Sequence, residues 1–179
     1  MGRRVAGCRE RMEGKAMGLK RNIYVMGSLR NPLIPEIGNR LRKEGHTAFE
    51  DWWGAGKIAD DSWQAYENMR GRSYKEALKG IAANHIFKLD KEHLDKSDSG
   101  VLVMPAGKSA HLELGYLIGQ GKPGYVLFDK EPERFDVMYL FAKGIFFDIE
   151  ELVTELNGPP KSYRIPEHDS WNVIGGWDA

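Results

Sequence analysis

Glu113 is the residue whose type and position most suggest chemistry. It lies in the stretch PAGKSAHLELGY, residues 105–116, directly after the apolar run GVLVMP. The apolar run predicts a buried strand and the following segment predicts a helix, which places Glu113 in the first turn of that helix. An acid at this position could simply complement the helix dipole. It could instead be a nucleophile at the edge of a sheet, kept ionised at neutral pH by the same dipole.

Ser109 is predicted to be the N-cap of this helix, because its hydroxyl can accept a hydrogen bond from a free backbone N–H group. A capping box would place an acid three residues later, where the chain has Leu112. Glu113 comes one position too late for that structural role. This mismatch favours a chemical role for its carboxylate.

The turn GSLR, residues 27–30, indicates a second functional group. Gly27 would let the backbone approach a ligand closely, Ser28 offers a hydroxyl, and Arg30 supplies a planar cation suited to phosphate. An ordinary turn with a surface arginine explains the same residues equally well. Of the adjacent Trp52 and Trp53, one could pack in the core and the other could stack on a planar ligand such as a nucleobase.

The elements that must position these groups alternate between strands and helices. Strands are predicted at NIYVMG, HTAFED, GVLVMP, GYVLF and IFF, with helical segments between and after them. Residues 52–72 are expected to form a loop, and residues 73–97 either one helix or two helices that meet near Asn84. Several strands are apolar throughout, which is typical of a parallel sheet covered by helices on both faces. Ligands of such α/β sheets bind at the carboxyl ends of the strands, where GSLR, the tryptophan pair and Glu113 are all expected to lie.

Composition argues against several classes of function. Lys plus Arg and Asp plus Glu number 26 each, so no net charge favours a nucleic acid polymer or a membrane surface. Neither Cys8, the single cysteine, nor the five histidines has metal-site spacing, so we expect no metal. The glycine pattern GQGKPG ends a helix and opens a strand, the reverse of a dinucleotide site, so no cofactor is expected.

No apolar run approaches the roughly 20 residues of a membrane helix. The single cysteine, Cys8, rules out an internal disulfide, which fits a reducing compartment, and we expect a cytoplasmic protein. Residues 1–21 are expected to be a disordered basic segment, residues 22–157 a single domain, and residues 158–179 an irregular tail.

Three segments together resemble the nucleoside 2-deoxyribosyltransferase superfamily, which includes transferases and nucleotide N-glycoside hydrolases. They are YVMGSLR, LDKEHLDKSDSGVLVMP and SAHLELGYLIGQGKP, and the resemblance covers residues 22 to 128. It implies a flavodoxin-like sheet of five parallel strands with helices on both faces. It also implies a homodimer or larger homo-oligomer, in which Asp136 or Tyr139 of a neighbouring chain could complete the pocket. The segment around these two residues could equally be an apolar core helix.

The resemblance implies cleavage or exchange of the N-glycosidic bond of a nucleoside or its 5′-monophosphate. Glu113 would attack C1′ of the sugar and form a glycosyl-enzyme, and Asp90 would manage the proton on the leaving base. Tyr24 would orient the nucleophile. Taken alone, Asp90 could be a solvated helix acid and Tyr24 a core aromatic residue. Asp98 also matches a family acid, although a turn at the entry to a strand explains it as well.

The nucleotide hydrolases of this family resemble the chain at GSLR, so Ser28 and Arg30 could hold a 5′-phosphate. Gly107 or Ser109 falls where those enzymes carry a further phosphate-binding serine. The tryptophan-rich loop is longer than usual, so the preferred base does not follow from the resemblance. An alternative of another class is a non-catalytic nucleotide-binding module on the same fold, which would need neither Asp90 nor Glu113.

Overall fold

Five parallel strands form one sheet in the computed structural model of the chain, which describes residues 19–159. The strands are β1 (Asn22–Met26), β2 (Thr47–Phe49), β3 (Ser99–Val103), β4 (Gly124–Leu127) and β5 (Gly144–Phe146). Their order across the sheet, β2-β1-β3-β4-β5, is the flavodoxin-like order, and every neighbouring pair is parallel. The predicted fold class is therefore confirmed. All but the innermost residues of the expected basic segment and irregular tail lie outside the described residues.

Six α-helices occur in this part of the chain, none of them long and apolar enough to cross a membrane. Two 3-10 helices accompany them, one after β2 and one before β5. The α-helices are α1 (Leu33–Lys43), α2 (Ala59–Met69), α3 (Tyr74–Ala77), α4 (Ile81–Lys96), α5 (Lys108–Gly119) and α6 (Ile149–Asn157). The 3-10 helices are Asp51–Ala55 and Val137–Phe141.

The central strand β1 explains how the sheet is covered on both faces. Because side chains alternate along a strand, Ile23 and Val25 pack with α1 and α6, whereas Tyr24 and Met26 pack with α4 and α5. All four side chains are buried, which accounts for the uninterrupted apolar run in the sequence. The face that carries Tyr24 is therefore the face that carries α4 and α5.

The segment between β2 and β3 differs from the prediction in two ways. Residues 52–72 form a 3-10 helix and α2 in place of the expected loop. Glu67 is the one residue of α2 that is buried, so this surface helix lacks the apolar periodicity that would have predicted it. The break between α3 and α4 lies at residues 78–80 and not near Asn84, because Gly80 serves as the N-cap of α4.

Candidate active site

Tyr24, Asp90 and Glu113 come together on one face of the sheet. Tyr24 lies on β1 and is fully buried, Asp90 lies in the second half of α4, and Glu113 lies on α5. Burial raises the pKa of the Tyr24 hydroxyl, and the charges of Glu113 and Asp90 raise it further, which places all three groups within electrostatic reach of one another. Three residues from separate segments of the sequence thus share one site.

Glu113 titrates far above an ordinary glutamate. Burial raises its pKa to about 7, and the negative charge of Asp90 contributes to the increase. The expectation of a first-turn carboxylate that stays ionised at neutral pH was wrong, because α5 begins at Lys108 and Glu113 is its sixth residue. The dipole effect fades beyond the first turn.

The start of α5 also differs from the prediction. Gly107 is the N-cap, and the predicted cap, Ser109, is an exposed residue of the first turn. His111, to which the sequence analysis assigned no role, lies within hydrogen-bond distance of two groups through its two ring nitrogens. Its Nδ1 lies 2.7 Å from the Gly107 carbonyl oxygen and its Nε2 lies 2.9 Å from the Tyr139 hydroxyl. The loop before α5 is therefore tied to the second 3-10 helix.

Asp90 interacts with Tyr24. Burial raises the pKa of Asp90, while His93, one turn further along α4, and the Tyr24 hydroxyl lower it. Within residues 19–159, Asp90 Oδ1 and the Tyr24 hydroxyl are buried and form no hydrogen bond of ordinary length and angle, so their interaction with each other leaves both atoms incompletely satisfied. Such atoms are rare in folded proteins, and each calls for a reason such as a catalytic role or a bound ligand.

His93 is a residue of this site that the sequence reasoning missed. Its ring stacks on Phe49 with centroids 3.6 Å apart and planes 7° apart. Phe49 in turn contacts Tyr24, with ring centroids 5.3 Å apart. The one sequence signal that places His93 beside Asp90 is their spacing of three residues, because residues i and i+3 share a helix face.

Ser28 and Arg30 lie in the turn at the carboxyl end of β1. The Arg30 backbone N–H donates to Ser28 Oγ at 3.2 Å, and the Arg30 guanidinium forms an ion pair with Asp61 of α2 at 2.8 Å. Gly27 has a packing explanation, because a Cβ there would lie 2.4 Å from Ile34 Cδ1. The close approach that this glycine permits is therefore to α1.

Asn31, which the sequence reasoning also missed, holds this turn against the end of β3. The side chain is buried, and its amide donates to the Met104 carbonyl oxygen at 3.2 Å. Its Oδ1 accepts from the Leu33 backbone N–H at 3.0 Å. An asparagine directly after GSLR and before a helix is a typical signal for side-chain hydrogen bonds to a turn.

Trp52 and Trp53 are both anchored through their indole nitrogens. Trp52 Nε1 donates to the Val25 carbonyl oxygen at 2.9 Å, and Trp53 Nε1 donates to the Asn31 carbonyl oxygen at 3.0 Å. Both rings are partly buried against the core. Packing therefore accounts for both residues, and stacking on a base stays a prediction for the faces that remain exposed.

Asp136 does not line the same site as Glu113 within one chain. It caps the second 3-10 helix, where its Oδ1 accepts from the Met138 backbone N–H at 2.9 Å. It lines a largely apolar groove of about 360 Å³ between that helix and α5, whose lining includes none of Tyr24, Asp90 and Glu113. The pairing of Asp136 with a neighbouring chain's pocket stays a prediction.

Asp98 has a structural explanation. Its Oδ2 accepts from the Asn22 backbone N–H at 2.7 Å, and its own N–H donates to the Asn22 carbonyl oxygen. It therefore joins the starts of β1 and β3, as expected for a turn at the entry to a strand. As for metals, no three His, Cys, Asp or Glu residues between positions 19 and 159 are grouped as a metal site would require.

Comparison with known proteins identifies structural relatives. No family model and no curated protein matches the chain. The chain is similar to the 2-deoxyribosyltransferase of the psychrotolerant bacterium Bacillus psychrosaccharolyticus, with 20% sequence identity and a TM-score of 0.50 over 79% of this chain and 98% of that one. It is also similar to the CMP N-glycosidase of Clostridium botulinum, with 12% identity and a TM-score of 0.42 over 76% and 98% of the two chains. The first likeness establishes a shared fold.

Proposed function

We propose that this chain cleaves or exchanges the N-glycosidic bond of a nucleoside or its 5′-monophosphate, with Glu113 as the nucleophile. The observation that carries this function is the meeting of Tyr24, Asp90 and Glu113 on one face of the sheet. The fold shared with a deoxyribosyltransferase supports it. Two partly buried carboxyl groups within electrostatic reach of each other cost stability, and such a cost is typical of catalytic sites.

The reaction is a double displacement at C1′ of the sugar. An oxygen of ionised Glu113 bonds to C1′ while the bond from C1′ to the base nitrogen breaks, and the bonding electrons leave with the base. Asp90 gives its proton to the departing base. Water or a second base then attacks C1′ and releases Glu113, and Asp90 takes up the proton lost by the incoming group. Two displacements leave the sugar with its original configuration.

The protonation of the two carboxyls suits this scheme. Burial raises the pKa of Glu113 to about 7 and also raises that of Asp90, and the two negative charges disfavour the doubly ionised pair. Near neutral pH the pair can therefore hold a single proton, and the reactive form has it on Asp90. The raised pKa of Tyr24 keeps its hydroxyl protonated, so it remains a hydrogen-bond donor beside both carboxyls. Its proposed role is to orient the Glu113 carboxylate.

The turn after β1 is assigned to the 5′-phosphate of a monophosphate substrate. Ser28 supplies a hydroxyl and Arg30 a guanidinium, which the phosphate would take over from Asp61. Ser109, exposed in the first turn of α5, and the Gly107 backbone are suited to add hydrogen bonds at that helix N-terminus. The active assembly is a homodimer or a larger homo-oligomer.

Base release is the direct test. The full chain is incubated with a panel of nucleosides and 5′-monophosphates, and free base is measured by chromatography, with a second base added to separate transfer from hydrolysis. We expect release by the wild type, and binding without release by Glu113→Ala. Acid quenching followed by peptide mass spectrometry should find the glycosyl adduct on Glu113. An adduct on Asp90 would reverse the two roles, and binding without any release by the wild type would favour the non-catalytic module.

A further inference from the structure

Asp95 joins α4 to α5 through its side chain. Its Oδ1 accepts from the Tyr116 hydroxyl at 2.7 Å and from the Gln120 amide at 2.9 Å. Its Oδ2 forms an ion pair with Lys91, one turn earlier on α4, at 2.6 Å. Just beyond α5, Lys122 donates to the Asp95 carbonyl oxygen at 2.7 Å. These five residues are called the Asp95 clamp below.

The Asp95 clamp and the catalytic carboxyls lie along the same helix–helix contact. Because α4 leads into the start of β3 and α5 leaves its end, both helices run antiparallel to the strands and parallel to each other. Asp90 precedes Asp95 by five residues and Glu113 precedes Gln120 by seven, which correspond to about 7 and about 10 Å along the helix axes. The carboxyl pair thus lies at the end of the contact nearer to the carboxyl edge of the sheet, and Asp95 and Gln120 lie one to two turns beyond it.

The carboxyl pair and the Asp95 clamp have opposite effects on the contact between α4 and α5. Asp90 and Glu113 repel each other when both are ionised, which favours separation of the helices at their end. At the other end, hydrogen bonds from Lys91, Tyr116 and Gln120 hold the pKa of Asp95 well below its usual range, so Asp95 is ionised throughout the neutral range. The clamp therefore opposes the separation of α4 and α5 that this repulsion favours when the pair loses its last proton.

Apolar packing gives α4 little help in keeping its position. Leu94 is the one residue of this 16-residue helix that is buried, whereas α5 buries four. The Asp95 clamp adds side-chain hydrogen bonds between α4 and α5 at the protein surface. A shift of about 1 Å at a reacting group can cost on the order of 100-fold in rate, so the position of α4 matters for catalysis.

We propose that Asp95 is a positioning residue that sets the separation between Asp90 and Glu113. Its catalytic consequence rests on the proposed function, whereas its effect on the separation can be measured without any substrate. In the absence of the clamp, repulsion moves α4 away from α5 and admits water beside Glu113. Both changes lower the pKa of Glu113, which makes that pKa a measure of the separation.

The first measurement is the titration of Glu113 by carboxyl ¹³C NMR in the substrate-free full chain. Asp95→Ala removes the clamp, and Tyr116→Phe removes one of its hydrogen bonds without changing any charge. Glu92→Gln is the matched control, because it removes a negative charge of α4 that pairs with Lys96 on the same helix and not with α5. The groups that face Glu113 and its partner, namely Asp90 and His93 from α4 and Tyr24 from β1, are kept in all three variants.

We expect Asp95→Ala to lower the pKa of Glu113 by about 0.5 to 1 unit, Tyr116→Phe to lower it by less, and Glu92→Gln to leave it nearly unchanged. An unchanged Glu113 pKa in Asp95→Ala, with a native circular dichroism spectrum, would overturn the positioning role. An equal shift in Glu92→Gln would overturn it too, because charge alone would then be the cause. If Asp95→Ala does not fold, Tyr116→Phe decides the question in the same way.

The second measurement is steady-state kinetics of base release. Asp95→Ala should lower kcat roughly tenfold or more with KM within about twofold, because the substrate contacts remain while the acid and the nucleophile move apart. A Glu113 shift in a chain that releases no base from any substrate would uphold the positioning role and reject the proposed function. Base release with kcat unchanged in Asp95→Ala would uphold the function and reject the positioning role.

Discussion

Glu113 on α5 lies within electrostatic reach of Asp90 on α4, and burial together with the Asp90 charge raises the pKa of Glu113 to about 7. In the unfolded chain the same carboxyl titrates near 4.5. Between these two pH values the folded protein binds more protons than the unfolded chain does, so this carboxyl makes folding less favourable as the pH rises through that window. The site therefore costs the protein stability at the pH at which Glu113 is ionised.

Replacing Glu113 by glutamine should remove this cost. The variant keeps the size of the side chain but never ionises. We expect it to be more stable than the wild type at pH 8, and this gain in the free energy of unfolding should be about 1 to 3 kcal/mol larger at pH 8 than at pH 4.5. Urea unfolding at both pH values measures the difference. Glu133→Gln, at an exposed position, is the control and should show no such pH dependence. A gain that is the same at pH 4.5 and pH 8 would contradict the assignment of the raised pKa.

The pH dependence of base release should follow the single proton of the pair formed by Glu113 and Asp90. Because the negative charge of Asp90 helps raise the pKa of Glu113 to about 7, that pKa describes loss of the pair's last proton, and we expect kcat/KM to fall as the pH rises through about 7. Asp90→Asn leaves Glu113 as the one titrating carboxyl of the pair and removes the neighbouring charge, so kcat/KM should instead show a limb that rises with pH below 7, while the rate falls roughly 10²- to 10⁴-fold because the departing base receives no proton. A substrate whose leaving group needs no proton should recover most of that rate. A rising limb near pH 7 in the variant would remove Asp90 from the electrostatics of Glu113.

Tyr24 and Tyr125 provide a matched comparison of two fully buried tyrosines in the sheet. Within residues 19–159 the Tyr24 hydroxyl forms no hydrogen bond of ordinary length and angle and interacts only weakly with Asp90, whereas the Tyr125 hydroxyl accepts from Lys143 Nζ at 3.2 Å. Tyr24→Phe should therefore change the free energy of unfolding by less than about 1 kcal/mol but lower kcat roughly 10- to 100-fold. Tyr125→Phe should lower stability without changing kcat. Equal kcat values for the two variants would mean that the Tyr24 hydroxyl has no role in orienting Glu113.

The sequence predicted which residues meet but not the environment in which they meet. Tyr24 lies in an apolar run that had to be a buried strand, and Glu113 follows another such run, so the topology of a parallel sheet brings them to one edge. The start of α5 was misplaced because Gly107 caps the helix without a side chain, whereas Ser109 offers a stronger sequence signal. The raised pKa of Glu113 depends on how α4 packs against α5, and no local pattern encodes that contact.

The region after β2 was harder to predict, for a different physical reason. A surface helix such as α2, with Glu67 as its buried residue, lacks the apolar stripe by which helices are recognised. The sequence predicted that one of Trp52 and Trp53 could pack in the core and that the other could stack on a ligand, because an exposed indole is unusual in a loop. Their N–H groups in fact donate to backbone carbonyls 27 and 22 residues away in the chain, and such partners are not visible in a sequence.

Arg30 and Asp61 make the phosphate assignment testable. The two side chains are 56% and 63% exposed, and a surface ion pair of this kind contributes at most about 1 kcal/mol. A doubly charged 5′-phosphate should therefore displace Asp61 from the guanidinium.

We expect Arg30→Ala to raise KM for 5′-monophosphates roughly 10- to 100-fold and to leave KM for the matching nucleosides within about twofold. Asp61→Asn removes the competing carboxylate and should lower KM for monophosphates about two- to fivefold. Steady-state kinetics with matched nucleoside and monophosphate pairs measures both effects, and equal losses on the two substrate classes in Arg30→Ala would show that the guanidinium does not bind the phosphate.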